Sequence, residues 1–184
     1  KELSKGKMDT LTVAKCLAGD PISFEPGEHW QYSLSHDVLA AAVEVISGKR
    51  FKEYMKENIF TPLGMESTVY HKEEAEGIFA EQYRSNNLDE DDIGKLQAGN
   101  DEANKRDGGH IVNRGLVNVD IFGPEYDSGG AGIITTVGDY AKLSCALGNG
   151  GIGANAERIL KPGTIEILRT NQLNELQLKD LNWT

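Results

Sequence analysis

Two amphipathic runs, joined by a link too short to let them part, do most to limit what this chain can fold into. Across residues 35–47 apolar side chains recur at Val38, Leu39, Ala42, Val43 and Ile46, a wide stripe at helical spacing. Gly48 stands just past the run, where a left-handed residue closes a helix, and Ser35 is placed to cap its start. A second run carries Phe51, Tyr54, Met55 and Ile59 and is stopped by Pro62 and Gly64. With only a few residues between them, the two predicted helices pack against each other.

Shorter elements surround this pair. Leu11, Val13, Ala14 and Leu17 predict a helix over residues 9–18, with Asp9 or Thr10 as its cap. Pro21, Pro26 and Gly27 then break regularity and leave Ile22 and Phe24 in a loop. Residues 73–107 are polar and acidic, with Asp89-Glu90-Asp91-Asp92 at their centre, and predict an exposed acidic loop or hairpin excursion. Alternation through Ile111, Val112, Leu116, Val117, Val119 and Ile121 predicts strand.

After the glycine turn Ser128-Gly129-Gly130-Ala131-Gly132, Thr136 and Asp139 predict a capping box. It opens a helix with Tyr140, Leu143 and Leu147 on one face, ended by Gly148-Asn149-Gly150-Gly151. No Gly-Lys-Ser/Thr follows these glycines, so they serve tight turns and not a phosphate. Pro162 suits the first turn of a last helix carrying Ile165 and Leu168. Beyond Leu173 no terminating pattern is read.

Charge and residue usage exclude several functions. The 184 residues carry 29 acids against 19 bases, a formal net charge of −10, which repels nucleic acid and anionic membranes. The basic clusters, Lys49-Arg50 with Lys52 and Lys105-Arg106, are short and read as solvated helix ends and loops. No apolar run reaches membrane-spanning length. Cys16 and Cys145 each sit among apolar residues at helical spacing, which predicts buried free thiols over a disulfide. The four histidines, His29, His36, His71 and His110, are scattered without metal-ligand spacing, so neither a metal nor an organic cofactor is expected.

The motifs narrow the reading further. The segment Phe24-Glu25-Pro26-Gly27-Glu28-His29-Trp30-Gln31-Tyr32-Ser33 resembles the F-x-P-G-x-x-W/F-x-Y-S block of class C β-lactamases, D-Ala-D-Ala carboxypeptidases and family VIII carboxylesterases. The resemblance continues through Asp37-Val38-Leu39 and Val45-Ile46-Ser47-Gly48. It runs on into Ile59-Phe60-Thr61-Pro62-Leu63-Gly64-Met65-Glu66-Ser67-Thr68, which is similar to I-F-x-P-L-G-M-x-x-T. Residues 128–140 resemble G-G-A-G-L-x-S-T-x-x-D-Y, and Arg158-Ile159-Leu160-Lys161-Pro162 resembles R-I-L-S-P. The blocks stand in family order over roughly residues 9–173.

What the resemblance implies is a serine hydrolase that works through an acyl-enzyme. Tyr32 occupies the family's catalytic tyrosine position. A free phenol has a pKa near ~10, and a neighbouring lysine ammonium lowers it by favouring phenolate. Such a group can take the serine proton and later return it. The plainer alternative is that Tyr32 only packs with Trp30 in a core. Leu34 departs from the family, which usually carries asparagine there; leucine cannot hydrogen-bond a substrate amide. Esterase-like members show Tyr-Ser-Leu, so the departure tilts the substrate towards esters.

The family nucleophile is the serine of S-x-x-K. Ser4-Lys5-Gly6-Lys7 fits that string but carries glycine where a helix should run, and no K-T-G, H-x-G or W-G-G follows Leu173. The expectation is an internal piece, residues 1–184 as one partial domain, mainly α with a few short β-strands around residues 70–121. It would be the helical subdomain of a β-lactamase/DD-peptidase-like fold with the central sheet largely missing. Alone it is expected to be inactive and to self-associate through the face that would meet the rest of the fold. The whole protein would act on a small-molecule ester, β-lactam or peptidoglycan stem. The alternative is a non-catalytic ligand-binding or sensor module that keeps the helical half.

Overall fold

The structure, a computed structural model, describes residues 8–75, 79–80, 82–86, 105–106, 109–115 and 123–181. They belong to two compact units, one of Lys1–Glu76 with Val119–Thr184 and one of Gly77–Asn118. In the second unit three strands form an antiparallel sheet in the order β1-β3-β2: β1 Gln82–Asn86, β2 Lys105–Arg106 and β3 Gly109–Gly115. The predicted strand is therefore present up to Gly115; Leu116 to Ile121 and the acidic run Asp89–Asp92 lie outside the described residues.

The first unit is helical. Helix α1, Thr10–Leu17, starts where Asp9 accepts from the Thr12 amide at 2.7 Å. Helix α2, Ser35–Ser47, ends at Gly48, whose φ of 69° is the left-handed cap that the sequence predicts. Ser35 is not its cap: Leu34 holds that place without a side-chain bond. Helix α3, Phe51–Met55, runs straight into a π turn over Lys56–Phe60. It packs on α2 as predicted, with Glu44 of α2 accepting from the Phe51 amide at 2.9 Å.

The second half supplies α4, Val137–Gly148, and α5, Pro162–Arg169 with proline in its first turn. A further helix, α6 (Glu175–Asp180), follows. Predicting α5 as the last helix was incorrect: Asn174 and Gln177 form a complete capping box that starts α6.

Burial corrects three readings of helix faces. On α2 the buried residues are Asp37, Ala40 and Ala41, while Val38, Leu39, Val45 and Ile46 face out, Ile46 at 85% exposure. The small side chains are inside for a reason. A Cβ on Gly129 would sit 2.2 Å from the His36 carbonyl and 2.9 Å from Ala40 Cβ, so backbone lies against this face and only alanine fits beneath it. On α4 the buried residues are Asp139 and Ala146, with Tyr140 and Leu147 exposed. Thr136 accepts from the Asp139 amide at 3.2 Å, but the Asp139 carboxylate does not reach back. It takes the Ser67 amide at 2.7 Å, Thr68 Oγ1 at 3.1 Å and Lys142 Nζ at 2.8 Å instead. Cys16 and Cys145 are both free thiols but exposed, because each falls on the outer side of its helix.

The apolar core gathers Phe60, Leu63, Met65, Tyr70 and Ala146, with Phe51, Met55, Ile59, Leu143 and Ile159 packed against it. Tyr70 meets Phe51 edge-on at 5.8 Å between centroids and stacks on Phe60 at 6.3 Å. The block from Ile59 to Tyr70 is thus the hydrophobic centre of the unit.

Two glycines make a paired test of this packing. Gly129→Ala must displace backbone and should cost about 1–3 kcal/mol. Gly163→Ala, with nothing within 4 Å of the added carbon and no positive φ, should instead gain about 0.4–1 kcal/mol. Urea unfolding of the two variants reads both signs; equal effects would contradict the packing described.

Candidate active site

Tyr32 lies in an irregular stretch between the turn at Gly27, φ 91°, and the first residue of α2. Its side chain is 78% exposed, so it does not sit in a core as the plainer reading required. Leu34, two residues on, is also exposed. Its carbonyl accepts from the amides of Asp37 at 3.0 Å and Val38 at 3.3 Å, which makes it the last residue before the helix. Ser33 and Ser35 join hydroxyls at 2.5 Å across it. Tyr32 and Leu34 therefore stand together at the N-terminal mouth of α2, the phenol and the isobutyl group both open to solvent.

What holds this mouth in place is a buried carboxylate one turn into the helix. Asp37 Oδ1 accepts from the Tyr126 hydroxyl, from Ser128 Oγ at 2.9 Å and from the Gly129 amide at 3.0 Å. The Ser128-Gly129-Gly130 turn is thereby clamped onto the first turn of α2, which the sequence reading missed. Burial, and then the bond to Asp37, push the Tyr126 phenol well above its ordinary range, so it stays a neutral donor.

A second carboxylate sits next along the chain. Asp127 has no exposed surface. Its Oδ1 accepts from Arg50 Nη2 at 3.0 Å and from His71 Nε2 at 2.8 Å, and its Oδ2 from the Lys52 amide at 3.1 Å. Its own backbone closes a two-way exchange with the Thr10 hydroxyl, at 2.9 and 3.1 Å. Arg50 also pairs with Glu125 at 2.6 Å. The cluster at Lys49, Arg50 and Lys52 is accordingly no plain solvated helix end, since its arginine reaches a buried acid.

Among the described residues no group of three or more His, Cys, Asp or Glu side chains could hold a metal ion, and no helix is long and apolar enough to cross a membrane. A cleft of about 510 Å³ opens beside α3 and the 61–74 segment, lined by Lys52, Lys56, Phe60, Met65 and Tyr70 among others. Neither Tyr32 nor Leu34 lines it. Ser4 and Lys7 lie outside the described residues.

The Beta-lactamase family model matches residues 2–180, nearly the whole chain. The chain belongs to the beta-lactamase family. Membership places it in the serine β-lactamase-like superfamily of hydrolases, as the motif blocks imply. It is 30% identical over 172 residues to the bovine (Bos taurus) mitochondrial serine beta-lactamase-like protein LACTB, covering 90% of this chain and 26% of that protein. It is 28% identical over 147 residues to the lovastatin esterase of Penicillium rubens, covering 79% of this chain and 31% of the esterase. Its fold matches simvastatin synthase LovD of Aspergillus terreus with a TM-score of 0.62 at 21% identity, over 94% of this chain and 38% of that one. The chain thus spans about a quarter to a third of the length of these curated relatives.

The buried acid gives a stability prediction. Asp127→Ala removes the buried acceptor shared by Arg50, His71 and the Lys52 amide and should cost about 3–5 kcal/mol. Lys49→Ala, which breaks only the exposed pair with Glu57, should cost less than about 1 kcal/mol. Denaturant midpoints of the two variants separate the cases.

Proposed function

We propose that the protein containing this chain hydrolyses a small-molecule ester through a serine acyl-enzyme, with Tyr32 as general base and acid. The observation that carries the reading is the open phenol at the mouth of α2, in the family's tyrosine block, on a backbone fixed from behind by Asp37. The nucleophilic serine and its lysine would come from a segment outside the described residues. Residues 1–184 would then form the helical part of the fold, with most of the central sheet and the oxyanion donors supplied elsewhere.

The proton path follows from the phenol's position. As the serine oxygen bonds to the ester carbonyl carbon, Tyr32 Oη takes the serine proton. The tetrahedral adduct collapses, the C–O bond to the leaving alcohol breaks, and the phenol gives that alcohol its proton. Water then attacks the acyl carbon, losing its proton to Tyr32. The carboxylic acid leaves as the proton returns to the serine oxygen. Leu34 lines the approach with an apolar group in place of an amide donor and acceptor, which suits an acyl chain and gives a peptide-like amide nothing to bond.

The outward face of α2, with Val38, Leu39, Val45 and Ile46 exposed, is the surface we assign to the rest of the fold. Left uncovered, it should make the isolated chain associate with itself.

In the whole protein, Tyr32→Phe should lower kcat on a p-nitrophenyl ester by about 10²–10⁴-fold with an unchanged circular dichroism spectrum. Full activity in that variant would remove Tyr32 from the reaction. The isolated chain should show no turnover and concentration-dependent sedimentation. Acylation at Ser4, seen by mass spectrometry, would contradict the first expectation, and a monomer at all concentrations the second.

A further inference from the structure

The segment that carries Tyr32 is held a second time, from a part of the chain about 150 residues away. Asp180, the last residue of α6, accepts at Oδ2 from the Trp30 amide at 2.9 Å and from His29 Nδ1 at 3.0 Å. From the other end of the same helix, Asn174 Nδ2 and Gln177 Nε2 both donate to the Gly27 carbonyl, at 2.9 and 3.2 Å. Three side chains of one short helix therefore grip Gly27, His29 and Trp30, and the grip ends two residues before Tyr32.

Residues 29–34 form neither helix nor strand, so no ladder sets their path; side-chain bonds to the backbone do. The Trp30 amide, and then His29, hold the Asp180 carboxyl below its ordinary range, so it is ionised and its bonds are charge-assisted. The helix offering it is itself fixed: Asn174 accepts from the Leu176 and Gln177 amides at 3.0 Å, and Gln177 Oε1 accepts from the Asn174 amide at 3.0 Å. The same two side chains thus start α6 and tie it to Gly27.

We propose that Asp180 is a positioning residue for Tyr32, fixing through the Trp30 amide and the His29 ring the place from which the phenol works. This rests on the reading of Tyr32 as the general base. A base must lie within hydrogen-bond reach of the proton it takes, and a displacement of about 1 Å in such a group costs on the order of 10²-fold in rate. With Asp37 gripping the helix after Tyr32 and Asp180 gripping the chain before it, the phenol is fixed from both sides.

The test uses the whole protein, with p-nitrophenyl butyrate kinetics and hydrogen exchange followed together. Asp180→Ala should lower kcat roughly 10–100-fold, leave KM within about twofold, and speed amide exchange in residues 27–33 alone. Asp180→Asn keeps an oxygen acceptor for Trp30 and should restore most of both. Lys179→Ala, an exposed neighbour, should change neither. Faster exchange spread through the helical unit, or a failure of asparagine to rescue, would make Asp180 a merely structural residue and overturn the inference. If Tyr32→Phe abolishes turnover while Asp180→Ala leaves kcat and exchange unchanged, the positioning role falls and the role of Tyr32 stands. If Tyr32→Phe is fully active, the reading of Tyr32 itself is what fails.

Discussion

A carboxylate withdrawn from water cannot be left alone, and Asp127 is the point at which that constraint organises this chain. Its charge needs partners. They come from Arg50, the residue before α3, from the Lys52 amide in the first turn of α3, and from the segment after the core block through His71, while Thr10 of α1 bonds the Asp127 backbone. These pieces are far apart in sequence, with separations from 56 to 117 residues. Once Asp127 is paired, its neighbours in the chain are fixed, and Tyr126, Ser128 and Gly129 are delivered to Asp37. The acid that holds the unit together and the acid that holds the mouth of α2 are served by one stretch of four residues.

The consequence for function is a division of labour along that stretch. Core packing around Phe60, Leu63 and Tyr70 supplies stability. The polar contacts of Asp37 and Asp180 contribute little apolar burial, yet they decide where an irregular, exposed segment lies. Catalytic groups on loops need such support, because a loop has no backbone ladder of its own to fix it. Under the proposed function, the remaining parts of the site would come from elsewhere and meet the outward apolar face of α2.

Helix ends are legible in the sequence where a local signal marks them: Asp9, one of the two caps offered for α1, opens it, and Gly48 closes α2. The Asn174 and Gln177 box is equally local, but no apolar stripe follows it to mark a helix. Faces were harder to read. The stripe of Val38, Leu39 and Ile46 has the right period for burial, but Asp37 and Ala40 take the inside because a partner acid-binding turn and close backbone lie there, and neither leaves a mark within α2. Cys16 and Cys145 likewise have the spacing of buried residues but fall on the outer sides of their helices. Family resemblance singles out Tyr32, whereas the contacts of Asp37 and Asp180 around it reach across roughly 90 and 150 residues, which no window of sequence contains.

As the proposed general base, Tyr32, at the start of α2, would face the nucleophile. A crystal structure of the whole protein inhibited by an alkyl phosphonate ester tests it most directly, since the phosphonate marks the serine that attacks. Tyr32 Oη should lie within about 2.6–3.2 Å of the modified serine oxygen or one water away. A phenol turned to solvent with another base in contact with that serine would contradict it.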